Sequence, residues 1–375
     1  MSAKAPLVLL AAGGTGGHLF PAEALAHALV RRGVIVDLAT DRRAAAYAGQ
    51  FPARKVHVIS SDTLRSRNPL RLALTVLILG YGIFRALLLL IMLRPAVVVG
   101  FGGYPTLPPV LAAWLLRIPR VVHEQNAVLG RANRLLASRA SAIATGYPGI
   151  LARKPELAVK AVHTGNPVRA AVREAAATHY AEPAQAKTLS ILVFGGSQGA
   201  RIMSEIVPAA IERAAAVRSI ARIVQQCRLE DIDAVRAIYA RIGVPADLAV
   251  FFKDLPQRIA DSHLVIARSG ASTVAELAAI GRPSILVPLP HALDQDQLAN
   301  ATVLVAAGGA LLIRQDEFTA ERLAAELSQL AAKPAMLAGM AAAARRTGRA
   351  DAVEHLADLA LRVAGIKQMG QNSPA

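Results

Sequence analysis

One cysteine, Cys227, is all the thiol chemistry that 375 residues carry. No intramolecular disulfide can staple such a chain, so its stability must come from packed cores, and a reducing compartment suits it. Cys227 itself reads as a buried, inert thiol. Aromatic residues are scarce at 4%, the basic residues are scattered, and no recognition module is present, which argues against nucleic acid as a partner. Acidic residues are outnumbered 26 to 42, for a net charge of +16; that balance suits an anionic membrane surface or a phosphorylated ligand. No secretory leader is expected, since Met1–Pro6 runs straight into what reads as the first core strand. The expectation is a protein that stays in the cytosol or on its membrane. The Gly-x-Gly-x-x-Gly dinucleotide fingerprint is absent, and Asp37 falls too early on its strand to bind a ribose, which argues against a nicotinamide enzyme.

What the chain does have is 54% hydrophobic residues, and at this length they suggest two domains of roughly 150–200 residues. The apolar run Leu7–Ala12 ends in Gly13-Gly14-Thr15-Gly16-Gly17-His18, and a helical stretch follows from Pro21. A strand that ends in glycines and restarts as a helix exposes backbone N–H groups and lets phosphate or sugar oxygens approach with no Cβ in the way. Half a chain later the design repeats: Ser190–Phe194 runs into Gly195-Gly196-Ser197-Gln198-Gly199-Ala200, with a helix from Arg201. Two such units predict an α/β protein of two similar domains facing one another. Further strands are expected at 34–40, 56–59, 97–99, 120–126, 142–146, 219–227, 248–252, 264–267 and 284–290. Residues 162–169 read as a turn-rich crossover and the segment after Asn300 as alanine-rich helix.

Two stretches stand out. Leu72–Leu93 carries one charge, Arg85, and is long enough to span a bilayer. A single span would put strands of one sheet on opposite sides of a membrane, however. The other readings are a plain crossover helix, or a crossover helix whose greasy face dips into the interface with Arg65, Arg67, Arg71, Arg85 and Arg94 at lipid headgroups. The second stretch is His123-Glu124-Gln125-Asn126, four polar side chains just past a strand, where the ligand crevice of an open α/β sheet lies.

Six motifs occur in one order: Gly13 to His18, His123 to Asn126, Gly165-Asn166-Pro167-Val168-Arg169, Gly195 to Ala200, Arg268-Ser269-Gly270-Ala271-Ser272-Thr273, and the loop from Asp294 to Asn300. Together they cover essentially the whole chain, and in them it resembles the MurG family, the N-acetylglucosaminyltransferases that convert lipid I to lipid II in bacterial peptidoglycan synthesis. The resemblance implies a GT-B architecture of two Rossmann-like domains with parallel sheets and the ligand in the interdomain cleft. It implies an acceptor and membrane-facing domain at 1–167, a UDP-sugar domain at 168–344, a helix at 345–364 returning to the first domain, and a disordered tail at 365–375. It also implies UDP-N-acetylglucosamine as donor, inversion at the anomeric carbon, and undecaprenyl-diphosphate-linked lipid I as acceptor. The place of action would be the cytoplasmic face of the inner membrane, with the protein peripheral to it.

Residue by residue, the resemblance assigns Thr15, Gly16, Gly17 and Asn126 to the donor sugar or cleft, and Arg169 and Ser197 to the UDP. Phe252 takes the place of a backbone contact to uracil. Ala271, Ser272, Thr273, Val274, Ala275 and Glu276 would cradle the nucleotide, with the helix N-terminus at the diphosphate and Glu276 accepting from ribose hydroxyls. Gln297 matches the glutamine that reads sugar hydroxyls, with Gln295 as a rival because the loop is slightly altered in length. Glycosyl transfer needs a base for the acceptor's 4-hydroxyl. His18 is the leading candidate, ending the first glycine turn with a group that titrates near neutrality; Glu124 is the second. Asp294-Gln295-Asp296 has metal-motif spacing but belongs to the sugar-reading loop, so neither a metal nor a cofactor is expected; helix N-termini and Arg169 supply positive charge to the departing UDP instead. A diacylglycerol glycosyltransferase or a UDP-sugar epimerase of the same architecture, and a non-catalytic membrane-associated nucleotide-binding scaffold, are the competing readings.

Overall fold

The structure, a computed structural model, describes residues 5–13, 16–42, 51–61, 69–183, 188–196, 199–290 and 292–366. Two units make it up, residues 1–169 with 351–375, and residues 170–350.

In the first unit β1 (Leu7–Ala11), β2 (Ile35–Thr40), β3 (Lys55–Val58), β4 (Val97–Gly100), β5 (Arg120–Glu124), β6 (Ala142–Thr145) and β7 (Ala161–His163) form a parallel sheet in the order β3-β2-β1-β4-β5-β6-β7. The inner strands read as continuous Val, Leu, Ile and Ala because both faces are covered. Val8, Leu10, Val97 and Val99 pack on the side of helix α1 (Gly16–Arg31). Leu9, Ala11, Val98 and Val122 face the other core, against α2 (Pro69–Leu93) and α3 (Leu107–Leu115). A short helix, α4 (Arg131–Leu136), follows β5. On β2, Asp37 is fully buried and accepts two bonds from Arg54, at 2.9 and 2.8 Å, and meets His57 Nε2 at 2.9 Å. Its carboxylate ties β2 to β3.

Helix α2 decides between the readings of the greasy stretch. Ala73–Leu93 is long and apolar enough to cross a membrane, with a mean hydropathy of 2.5, yet it connects β3 to β4 of one sheet and buries Ala86 and Leu90 against that sheet. It is a crossover helix, and much of its other surface is left exposed.

The second unit repeats the plan. β8 (Leu189–Phe194), β9 (Ala221–Gln226), β10 (Ala246–Ala249), β11 (Leu264–Ala267), β12 (Ser284–Leu286) and β13 (Ala310–Leu312) run parallel in the order β10-β9-β8-β11-β12-β13. In both sheets the order reverses beside the first strand, between β1 and β4 and between β8 and β11. Crevices at such switch points are where open α/β sheets bind ligands. The helices that matter below are α5 (Arg201–Arg213), α6 (Ala271–Ile280), α7 (Asp296–Ala306), α8 (Pro334–Thr347) and α9 (Ala352–Val363).

Several boundaries differ from the sequence expectation. Strand β10 ends at Ala249, whose carbonyl accepts from the Cys227 N–H at 3.0 Å; the chain then turns away, so Phe251 and Phe252 follow the strand instead of closing it. β7 and β13, three residues each, fall where the sequence reads as crossover and as helix, because edge strands so short leave no periodicity. The returning helix is α9 and not 345–364. Arg345 lies in the last turn of α8, and the break falls at Gly348, where a Cβ would stand 2.5 Å from the Ala278 carbonyl. Only after that close approach does the chain rejoin the first unit, burying Val353, Leu356, Leu359 and Leu361 in the core of α1.

Candidate active site

The first unit gathers its polar groups past β1, β4 and β5. His18 opens α1 one turn after β1, and its imidazole lies on the backbone of Gly102-Gly103, the turn after β4. A Cβ at Gly102 would stand 3.4 Å from Cδ2 of the imidazole, and one at Gly103 would stand 3.5 Å from Nδ1 and 3.3 Å from the Gly13 carbonyl oxygen. Both glycines have positive φ, 81° and 74°, so an L side chain there would be strained as well as crowded. Burial lowers the His18 pKa from the usual imidazole value, and a hydrogen bond with the Gly13 backbone pulls the other way without cancelling it. The ring is therefore neutral at pH 7.

Glu124 ends β5 and is 1% exposed. Its carboxylate accepts from the Asn126 N–H at 3.0 Å, Asn126 Nδ2 at 3.1 Å, the Gly130 N–H at 2.8 Å and Asn133 Nδ2 at 2.9 Å. Burial pushes its pKa up and these four bonds oppose the shift. Both oxygens are engaged in pinning the turn that carries Asn126 to α4. Arg169, the last residue of this unit, holds its guanidinium 4.6 Å over the Phe20 ring of α1.

His123, beside Glu124, is fully buried. Its Nε2 meets the Gly165 carbonyl at 3.1 Å, and Nδ1 has no partner among the described residues. Burial lowers its pKa to about 4. The unfolded chain takes up a proton near 6.5 and the folded one does not until about 4. This histidine therefore destabilises the fold progressively as pH falls across that window, by roughly 3 kcal/mol in total. His123→Gln is expected to flatten the fall in urea midpoint between pH 6.5 and 4; an unchanged slope would show that other groups govern it.

In the second unit the turn after β8 is built on close approach. A Cβ on Gly195 would collide with the Ala200 nitrogen, so only glycine fits. Gln226, ending β9, receives the Gly195 N–H on Oε1 at 3.2 Å and donates Nε2 to the carbonyls of Gly196 and Val250 at 3.0 and 3.1 Å. Across the switch point, β11 leads into Arg268, Ser269 and Gly270, and α6 starts without a side-chain cap. Its first-turn amides are thus available to an anion. Ser272 Oγ is buried there with no partner among the described residues, and Glu276, one turn further on, is 6% exposed.

Below this opening, Arg268 donates to the Val287 and Pro288 carbonyls at 3.0 and 3.1 Å and to Gln315 Oε1 at 2.6 Å. Ser269 Oγ donates to the Gln297 carbonyl at 2.8 Å, and Asn300 Nδ2 to the Ser269 carbonyl at 3.3 Å. The loop into α7 is thereby fixed to the turn that precedes α6. Gln297 Oε1 accepts from the Leu289 N–H at 3.0 Å, which orients its amide. Gln295 is exposed, in the left-handed region at φ 52°, on the rim of a pocket that Leu289, Leu298 and Arg314 also line. Asp296 accepts from the Gln297 N–H at 2.8 Å. Phe252 is 7% exposed, and Arg258 lies 4.2 Å over its ring.

The structure therefore brings Gly16, Gly17 and His18 to one switch point, and Ala271 to Glu276 with Gln297 to the other. Thr15 and Ser197 lie outside the described residues. Sequence reading misses Asn133 and Gln226, which hold the two turns from elsewhere in the chain; nothing local marks either as more than a polar residue. Gly102-Gly103 is visible as a glycine turn, but its contact with His18 is not.

Paired switch-point sites on twin Rossmann-like sheets define a two-domain glycosyltransferase of the GT-B architecture. Residues 8–145 match the glycosyltransferase family 28 N-terminal domain, and residues 190–356 match the family's C-terminal domain. A protein of Rhodopseudomonas palustris named UDP-N-acetylglucosamine--N-acetylmuramyl-(pentapeptide) pyrophosphoryl-undecaprenol N-acetylglucosamine transferase is 60% identical over 364 residues, 96% of this chain and 99% of that one. A protein of the same name from Nitrobacter winogradskyi is 58% identical over 96% of this chain and 98% of its own. The crystal structure of Acinetobacter baumannii MurG superposes with a TM-score of 0.77 at 31% identity, covering 95% of this chain and 99% of that one. The chain belongs to the MurG family of N-acetylglucosaminyltransferases. A putative UDP-N-acetylglucosamine 2-epimerase from Listeria monocytogenes also superposes, with a TM-score of 0.67 over 98% of each chain, but at 17% identity it shares the fold alone.

Proposed function

We propose that this chain moves N-acetylglucosamine from UDP-N-acetylglucosamine to the 4-hydroxyl of the muramoyl sugar of lipid I in a single inverting displacement, as a peripheral protein at the cytoplasmic face of the inner membrane. The observation that carries the reading is the uncapped start of α6 at the switch point between β8 and β11, with Ser272 Oγ and Glu276 buried there. Glu276 accepts from the ribose hydroxyls while the diphosphate meets the helix amides. His18 takes the proton from the 4-hydroxyl, that oxygen attacks the anomeric carbon, and the bond from that carbon to the diphosphate breaks with its electrons leaving on UDP. The α6 amides stabilise that charge. His18 is suited to its part because burial lowers its pKa, so the imidazole is neutral and able to take up a proton. Glu124 orients Asn126 instead of removing a proton. Gln297 reads sugar hydroxyls with the Nε2 that Leu289 orients, and Gln295 stands at the rim.

Glu276→Ala is expected to weaken UDP binding by roughly 10- to 100-fold, the effect of losing hydrogen bonds to a charged group. Calorimetry that finds the affinity unchanged would move the nucleotide away from α6.

The membrane surface is the exposed face of α2 and α3. Leu77 is 69% exposed, Phe84 56%, Met92 74% and Leu115 53%. A charge at Leu87 would test folding and not binding, because that side chain packs against the core. Met92→Asp leaves the core untouched. It is expected to weaken co-sedimentation with lipid vesicles by about tenfold, the effect of one large apolar side chain, with an unchanged melting temperature. Undiminished binding would remove this face from the membrane contact.

A further inference from the structure

The pocket on whose rim Gln295 stands lies wholly within the second unit, and the transfer derived above makes no use of it. Its walls are two turns past the carboxyl end of the sheet, residues 288–290 after β12 and 314–316 after β13, with Gln295 just before α7 and Leu298 in the first turn of that helix. The buried guanidinium of Arg268 joins the two walls. It donates to the Pro288 carbonyl at 3.1 Å on one side and to Gln315 Oε1 at 2.6 Å on the other. The first wall is also tied to the glutamine assigned to the donor sugar, because the Leu289 N–H donates to Gln297 Oε1 at 3.0 Å. The pocket thus begins one hydrogen bond from the sugar-reading side chain. At its rim Asp294 and Gln295 have φ of 61° and 52°, two successive residues in a region that side chains other than glycine rarely enter. Strain of this kind collects where a loop is shaped around a ligand.

The size and the charge of the pocket narrow what fits. A cavity of about 40 Å³ holds roughly three waters, enough for the three heavy atoms of a carboxylate and too little for a sugar ring. The Arg314 side chain is 57% exposed, and its ion pair with Asp316 is 3.7 Å long, beyond hydrogen-bonding distance. Its guanidinium therefore keeps donors to offer an incoming carboxylate. The acceptor brings such a group to this place. A muramoyl sugar carries its peptide on a lactyl ether at the 3-oxygen, beside the 4-hydroxyl that attacks. Whenever that hydroxyl meets the anomeric carbon of the donor, the peptide starts within one sugar ring of Gln297, and five residues reach at most roughly 17 Å further. Because the peptide is attached through its amino end, it offers carboxylates and no terminal ammonium.

We propose that this pocket takes a carboxylate of the acceptor's peptide, paired with Arg314, while the Gln295 amide hydrogen-bonds the peptide backbone at the rim. The proposal rests on the transfer reading above and adds to it a site in the nucleotide-binding unit that recognises a peptide-bearing acceptor. Arg314 is a positioning residue in this scheme, touching the peptide and not the reacting atoms.

Arg314→Gln in the full chain is the test, read by steady-state kinetics with lipid I and with the same lipid carrying the lactyl group but no peptide. The KM for lipid I should rise about three- to fivefold, the effect of an ion pair at a largely exposed site. kcat, the KM for UDP-N-acetylglucosamine and the melting temperature should stay as they are, and Arg314→Lys, which keeps the charge, should recover part of the loss. With the peptide-free acceptor the parent chain and Arg314→Gln should share one KM. Arg236→Gln, which removes a charge that is also 57% exposed but lies outside the pocket, should leave the KM for lipid I unaltered. No rise for Arg314→Gln, an equal rise with the peptide-free acceptor or for Arg236→Gln, or a rise confined to the donor KM would overturn the site. A parent chain that transferred nothing would overturn the transfer reading instead, and ligand-observed NMR with free N-acetylmuramoyl-pentapeptide would then decide the site by itself. Peptide signals saturated by the parent chain and much less by Arg314→Gln support it, and any other pattern overturns it.

Discussion

Replacing His18 with alanine is expected to lower kcat about 10²–10⁴-fold, the usual contribution of a positioned general base, while UDP binds nearly as before. The second half follows from placement, since the α6 amides, Ser272 and Glu276 lie in residues 170–350 and His18 in the other unit. The pH profile separates a base from a structural histidine. Burial lowers the His18 pKa below 6.5, so the neutral, competent form persists through neutrality. kcat/KM should fall only on an acid limb below that value. In the alanine variant the limb attributable to this group should vanish along with the rate. A loss of a few-fold with the limb retained would reduce His18 to a positioning role.

Ending the chain after Ala350 should abolish folding of residues 1–169 while leaving 170–350 able to fold. α9 supplies Val353, Leu356, Leu359 and Leu361 to the core of the first unit, each 3% exposed or less. At roughly 1.5–3 kcal/mol apiece they contribute about 6–12 kcal/mol, comparable with the whole stability of an ordinary domain. The ion pairs of Arg31 and Arg32 with Glu354 and Asp358 add little by comparison, since they are partly exposed. Two thermal transitions in the full chain, or one broad one, should give way to a single transition, and proteolysis should degrade residues 1–169 first. A truncated chain that retained native-like protection in that segment would show α9 to be peripheral.

The sequence carries openly the parts of this molecule whose chemistry is local. A glycine turn must directly follow its strand, so Gly13–His18 and Gly195–Ala200 announce both switch points, and the apolar runs announce most of the strands. What escapes depends on contacts distant in the chain. Asn133 reaches Glu124 from a helix nine residues later, and Gln226 braces a turn thirty residues earlier; neither has a motif. Glu124 is legible as a carboxylate at a strand end, but the four donors that surround it are not, because they come from residues two, six and nine positions further along the turn. The greasy stretch is ambiguous because hydropathy reports that a face is apolar and says nothing about what covers it. The burial of Ala86 and Leu90, with Leu77 and Met92 left out, separates the two faces of α2.

Incubating the purified chain with lipid I and with UDP-N-acetylglucosamine labelled in the sugar tests the central claim most directly. Label is expected in a disaccharide-bearing lipid together with stoichiometric UDP, and neither product when lipid I is withheld. UDP or a rearranged sugar nucleotide formed without the lipid acceptor, or no transfer by a folded, UDP-binding protein, would contradict it.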